Sequence, residues 1–325
     1  MIQGAHILTT NARSARALRN TKQSQGQRGD RGAAGASPEV LHRALSDFNR
    51  LRLQPTGTPG GWEERLRREY QMRLVEGSFV EAERTALRGR LTAVPSDPDA
   101  FVAWFEALSD RGPGQNDPLF PWLAGAASLA DMRWFLEQEI AGEAGFEDLV
   151  ALTQLKLPTR PKLELARNYW DEMGQGHAGG MHGPMLEHLA ATLELDARGE
   201  VVWESLALGN LMLALAMNRH YTYQAIGALG AIELTAPGRA EHVNAGLKRL
   251  GVNGEARRYF ALHATLDVRH SIAWNREVLR PLVAADPACA PLIAEGALLR
   301  LRAGARCFER YRAELWPRSS SAQRS

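Results

Sequence analysis

Cysteine is almost missing from this chain. Cys289 and Cys307 are the only two in 325 residues. Two thiols near the C-terminus build neither a disulfide framework nor a thiolate metal site, and their scarcity suits a reducing cytosol. Net charge is nearly missing too. The 39 Lys and Arg against 37 Asp and Glu leave a formal charge of +2, so nothing global calls for nucleic acid or a membrane surface as partner. Long apolar runs are absent. The best candidate, 206–217, is too short to span a bilayer and carries Gly209 and Asn210, so it reads as a buried core helix. Alternating strand patterns and repeat periods are absent as well. What remains is a 45% hydrophobic chain, long enough for one large core or two small ones, with helical periodicity.

Residues 1–36 form a basic tail in which Asp30 is the only acid. Its Arg-rich composition shares features with a transit peptide, but it has no secretory apolar stretch, and a disordered extension is expected. Helical patterning starts at Ser37-Pro38-Glu39, with Ser as N-cap and Pro at the first helical position. Residues 37–118 read as an N-terminal helical extension. It holds a first helix with Leu41, Leu45 and Phe48, a Pro/Gly linker at 55–61 and a charged helix over 62–91. A helix capped by 96–99, with Phe101, Trp104, Phe105 and Leu108, and a loop at 109–118 complete it. This extension is expected to pack on the core or support a homodimer. A larger helical domain covers 119–315, and 316–325 form a short tail.

The larger domain is organised around 261–272, where His263, Asp267 and His270 stand at i, i+4 and i+7. At about 100° per residue they share one narrow helical stripe. Such groups in an apolar segment are costly to bury without a partner. A metal ion is the simplest partner; an exposed face or ordinary core histidines are the alternative.

Other inward candidates come from separate helices. Glu172 shares a stripe with Leu165, Tyr169 and Met173, whereas Asp171 aligns with Glu164 and Asn168 on a more polar face. Gly174, Gly176, Gly179 and Gly180 then interrupt the helix before His182. A Gly-rich break lets backbones approach closely and can swing His182 back toward Glu172. His177 and His188 read as surface residues. Glu233 is the only acid in a run of Ala, Gly, Leu and Ile, so it is either a capping group near a helix end at Pro237 or a ligand. Glu139, Glu143 and Glu147 continue one side of the first core helix; one of them points inward or all are solvated. Tyr169, Trp170 and Tyr223 are candidate pocket walls or ordinary core aromatics.

Carboxylates and imidazoles in rough balance suit iron or manganese and leave open positions. A helical bundle with such groups on facing helices can hold two metal ions. Two ferrous ions can pass electrons to dioxygen, while the protein supplies ligands, a dry pocket and substrate orientation.

Four features together resemble a known ligand set: the segment R-N-Y-W-D-E-M-G, the His ten residues after its Glu, the lone Glu of A-I-E-L-T, and H-x-x-x-D-x-x-H. The set is that of the haem-oxygenase-like di-iron oxygenases, also called iron-containing redox enzymes, and the resemblance runs from Leu119 to Leu282. It implies an all-α, haem-oxygenase-like bundle in which Glu172, His182 and His270 hold one iron. His263, Asp267 and an acid of the first core helix would hold the other, with Glu233 binding or bridging. Glu139 is taken as that acid, with Glu143 and Glu147 as rivals. The resemblance further implies a non-haem oxygenase with two Fe(II) ions, or manganese in their place, dioxygen as co-substrate and no haem. An external electron donor is expected as partner. The substrate class is a small metabolite, amino-acid-derived among the options, oxidised by N-oxygenation or at a C–C or C–H bond. The alternative is a non-catalytic helical binding or regulatory protein that keeps the fold. A thiaminase-like hydrolase needs a pocket-facing Cys, and a haem-degrading enzyme an early proximal His, for which His42 is the one helical candidate.

Overall fold

The computed structural model describes residues 37–322 except 56, 58, 59, 92, 144 and 197–199, with side chains as far as residue 316. The tail expected over 1–36 lies outside them. The chain divides into two compact units between Ser78 and Phe79.

In the first unit, helix α1 (Pro38–Leu53) begins as its sequence dictates. The Ser37 side chain accepts from the Val40 N–H, and Pro38 opens the first turn. Leu45 and Phe48 are buried. Arg52 meets Glu76 of α2 (Trp62–Thr85) at 2.5 Å, with both side chains almost wholly enclosed.

The second unit is all-α. Its helices are α3 (Pro98–Glu106), α4 (Leu119–Gly125), α5 (Leu129–Gly142), α6 (Phe146–Thr153), α7 (Thr159–Glu172) and α8 (His182–Thr192). They continue with α9 (Trp203–Met217), α10 (Thr222–Arg249), α11 (Arg258–Trp274), α12 (Arg280–Ala285) and α13 (Ala290–Ala322). The described residues hold no strand, only an isolated bridge between Met173 and Met181. Helix α10 is the central element, with α11, α13 and α4 packed against it. A Cβ on Gly227 would stand 1.8 Å from the Ile293 carbonyl oxygen, and one on Gly296 1.8 Å from that of Gln224. Only glycine lets α10 and α13 approach this closely. Helix α9 is buried from Glu204 to Ala216 except at Leu206, which is why its apolar run shows no polar face. No single described helix is long and apolar enough to cross a membrane.

The structure differs from the sequence expectations at three places. Pro237 does not end its helix, because α10 runs through it to Arg249. Proline lacks the N–H that would reach the Glu233 carbonyl, and burial of Ala240, Val243 and Leu247 beyond it outweighs one lost bond. Residues from Phe79 onward group with the larger unit, where the fully buried Phe101 and Phe105 make α3 part of its core. The last helix reaches Ala322, so most of the expected tail is helical.

Candidate metal centre

Glu172 is the last residue of α7 and His182 the first of α8. Between them Gly174 adopts φ 59°, and a Cβ there would lie 2.3 Å from the Gly180 carbonyl carbon. The two glycines and the Met173–Met181 bridge close this segment on itself. That closure sets His182 Nδ1 2.5 Å from Glu172 Oε2, as the Gly-rich break suggested. The His263 ring comes from α11, its centroid 4.5 Å from that of His182. Glu172, His182 and His263 thus form one group of donor atoms within 4.8 Å of one another. Glu233, from the middle of α10, forms a second such group with Asp267 and His270 of α11.

This grouping differs from the one the resemblance implied, in which His270 joined Glu172 and His182. Seven residues on a helix span about 10 Å. His263 therefore lies level with the start of α8, and His270 level with Glu233.

Each histidine on α11 is oriented by a partner. His263 Nδ1 lies 2.7 Å from the Tyr259 carbonyl oxygen, which leaves Nε2 for the group. His270 Nε2 lies 3.2 Å from Asp171 Oδ2, which leaves Nδ1 facing Glu233 at 3.5 Å. The Asn168 amide donates to Glu233 Oε1 at 2.5 Å. Asp171 and Asn168 were expected with Glu164 on the more polar face of α7. That face, including Glu164 and Asn168, is buried instead, and it backs the second group. The signal was present in the sequence, since Asn168 and Asp171 share the last turns of α7 with Glu172. What it lacked was the helix that crosses them.

Electrostatics mark this cluster as strained. Burial, then the charge of Glu233, pushes Glu172 up to about 8. Burial, Glu233 and Glu172 hold Asp267 well above the carboxylate range. Burial and the neighbouring His270 push His182 down to about 4. For His270, burial works toward a lower value, but Glu233 and Asp171 outweigh it and raise it to about 9. His182 Nδ1 and His270 Nδ1 are buried without a hydrogen bond of good geometry; each faces a carboxylate oxygen, of Glu172 and of Glu233. Imidazole nitrogens turned onto buried carboxylates in this way fit a cation at each group, and the oxygen and imidazole donors fit iron or manganese.

The cluster opens on a cavity of about 150 Å³ with Glu172, Glu233, His263 and Asp267 in its wall. Phe135, Phe146, Leu208, Met212, Phe260 and Phe308 make much of the rest. Tyr169, Trp170 and Tyr223 are not among the lining residues, and Trp170 is 53% exposed. Glu139 faces the cavity but stands in neither group; burial raises its carboxyl, while Arg239, Arg300 and the Tyr311 hydroxyl oppose that rise. Glu143 also lines the wall, and burial with the charge of Glu147 lifts it to about 7. Glu147 sits beside the first group: a Cβ on Gly183 would meet its Oε1 at 3.5 Å, and its charge acts on both Glu172 and His182. His177 and His188 are exposed. Cys289 and Cys307 are buried outside the lining, and burial pushes both thiols up to about 12. Neither is poised as a nucleophile.

The family model described as "Iron-containing redox enzyme" matches residues 133–305. No curated protein matches. Among solved structures, a "cadd-like protein of unknown function" from Nostoc punctiforme is 18% identical, over 74% of this chain and 99% of that one, with a TM-score of 0.47.

Proposed function

This chain belongs to the iron-containing redox enzyme family, and we propose that it is a non-haem di-iron oxygenase that oxidises a small metabolite. One observation carries the reading. Two groups of buried or half-buried carboxylates and imidazoles, each with an imidazole nitrogen turned onto a carboxylate, stand side by side along α11 and share the wall of an apolar cavity. In this reading Glu172, His182 and His263 hold one ferrous or manganous ion, and Glu233, Asp267 and His270 the other. Bound there, the ions supply the electrons that reduce dioxygen, chemistry the side chains alone do not have.

The chain's own residues do the rest. Asp171 fixes the proton of His270 on Nε2, and the Tyr259 carbonyl fixes that of His263 on Nδ1, so each ring presents its free nitrogen inward. The aromatic and aliphatic wall excludes water and holds the substrate against the carboxylates. Glu143, lifted to about 7 at the same wall, can take or return a proton near neutral pH. Among the three acids of the first core segment, we assign Glu147 rather than Glu139 to the first group. Its charge reaches Glu172 and His182, whereas Glu139 faces two guanidiniums. Turnover calls for an external electron donor whenever the substrate supplies fewer electrons than dioxygen takes.

The test is anaerobic loading with ferrous iron, metal quantitation, and rapid mixing with oxygen while visible absorption is followed. Two irons per chain, and a transient band lost in both His263→Ala and Glu172→Ala, are expected. Iron that does not bind specifically, or never reacts with oxygen, would sink the reading in favour of a binding protein that keeps only the fold.

A further inference from the structure

The cavity has a second polar end that the metal groups do not use. Arg239 of α10 and Arg300 of α13 both line it. Arg239 is held in place: its Nη2 donates to Thr235 Oγ1 at 2.7 Å, and its guanidinium lies 5.5 Å from the Phe308 ring centre. Arg300 is not. Its Nε and Nη1 are buried with no hydrogen-bond partner. Buried guanidinium nitrogens left without hydrogen bonds are expensive and do nothing for the fold. Room is nevertheless kept for it, since a Cβ on Gly304 would stand 2.9 Å from its Nη1.

The two cations also burden each other. Burial, then Arg300, pushes Arg239 down to about 10. The acids nearby relieve this only in part, because burial raises both Glu139 and Glu143. An empty cavity of this size holds a body about as large as benzene, and its remaining wall is mostly apolar.

We infer that this end anchors the carboxylate of a small, largely apolar carboxylic acid, with Arg300 as the anchor and Arg239 beside it. A guanidinium grips a carboxylate through two parallel N–H bonds, which would satisfy the nitrogens left open here. The apolar body would then lie toward the two metal groups, placing a carbon away from the carboxylate at the reacting end. The reaction at that carbon rests on the di-iron reading; the binding of the acid does not.

The test is ligand binding by calorimetry and thermal shift on the metal-free full chain, so that iron cannot capture the probe. The probes are hexanoate, hexanamide and inorganic phosphate in the millimolar range. Hexanoate should bind and raise the melting temperature; hexanamide and phosphate should not. Arg300→Met should weaken hexanoate by about tenfold or more, yet leave the ligand-free melting temperature unchanged or higher, because buried nitrogens without hydrogen bonds are gone. Gly304→Ala favours the helix but displaces the guanidinium, and should weaken hexanoate in a folded protein. His182→Ala, whose side chain is not in the cavity wall, should keep hexanoate binding while losing iron from the Glu172 group, so the two readings fail separately. Hexanoate binding no better than hexanamide, or unchanged in Arg300→Met, overturns the inference. So does a lowered ligand-free melting temperature in that variant with binding intact, which would make Arg300 a structural partner of Glu139. Phosphate binding without hexanoate binding rules out the carboxylic-acid class.

Discussion

The two donor groups are chemically alike and mechanically different. Glu233, Asp267 and His270 are all buried residues inside long helices, and Asn168 and Asp171 of α7 hold two of them from behind. Glu172 and His182 sit at a helix end and a helix start, brought together only by a glycine-closed segment, and His263 is just half-buried. Donors on rigid elements with outer hydrogen bonds are arranged before a metal arrives, whereas donors at loose ends must be ordered by it. Under the proposed reading, the Glu233 group is the tighter site and the Glu172 group the weaker.

The largest expected effect is on metal occupancy. Anaerobic ferrous titration should show two phases. Asp267→Ala should abolish the tight phase, and His182→Ala only the weak one. Two equal affinities in the unaltered protein would break the comparison outright.

Next is the segment that joins Glu172 to His182. Gly174→Ala forces a side chain into the left-handed region, at about 1–2 kcal/mol, and against the Gly180 backbone at 2.3 Å. It should lower thermal stability and erase the weak phase while the tight phase survives. Loss of both phases together would mean that the two groups assemble as one unit.

A smaller effect is expected behind the tight site. Asp171→Ala frees the His270 ring and should weaken the tight phase by about 10–100-fold, with the weak phase untouched. An effect confined to the weak phase would reverse the assignment of His270.

Much of this arrangement is legible in the sequence, and the illegible part has a common cause. The stripe of His263, Asp267 and His270 follows from helical spacing alone, and the approach of His182 to Glu172 follows from four glycines between them. The isolation of Glu233 in an apolar run also marks it. The division into groups is not legible, because two histidines on one stripe differ only in height along α11, and their neighbours come from α7, α8 and α10. Asp171 and Asn168 look like surface polar residues until a crossing helix covers them. Glu139 leans to the apolar side as its spacing says, but it meets Arg239 and Arg300, and nothing local announces charges 100 and 161 residues further on. Sequence periodicity reports which face is buried; it does not report what lies across from it.

The smallest effect is a slope with pH, and it tests whether the two groups exchange protons for metal. In the metal-free protein Glu172 is raised to about 8 and His270 to about 9, so the folded state binds more protons than the unfolded chain. Stability from Glu172 is complete below its unfolded value and is lost as pH rises through about 8; that from His270 is lost as pH rises through about 9. Each group contributes a slope of up to about 1.4 kcal/mol per pH unit in its window. His182, lowered to about 4, acts oppositely, since its contribution is lost as pH falls from its unfolded value toward 4. A bound cation removes the protons of Glu172 and His270 and so cancels their losses at high pH. The melting temperature of the metal-free protein should therefore fall from near neutral pH toward pH 9, and the gain on adding ferrous or manganous ion should widen over the same range. Glu172→Gln should flatten the part of this widening below about pH 8, where its carboxyl gives up its proton, and leave the part near 9 that belongs to His270. A gain independent of pH would mean that the donors hold no protons for a metal to displace, and the strain that sets these two groups apart from ordinary buried ion pairs would be absent.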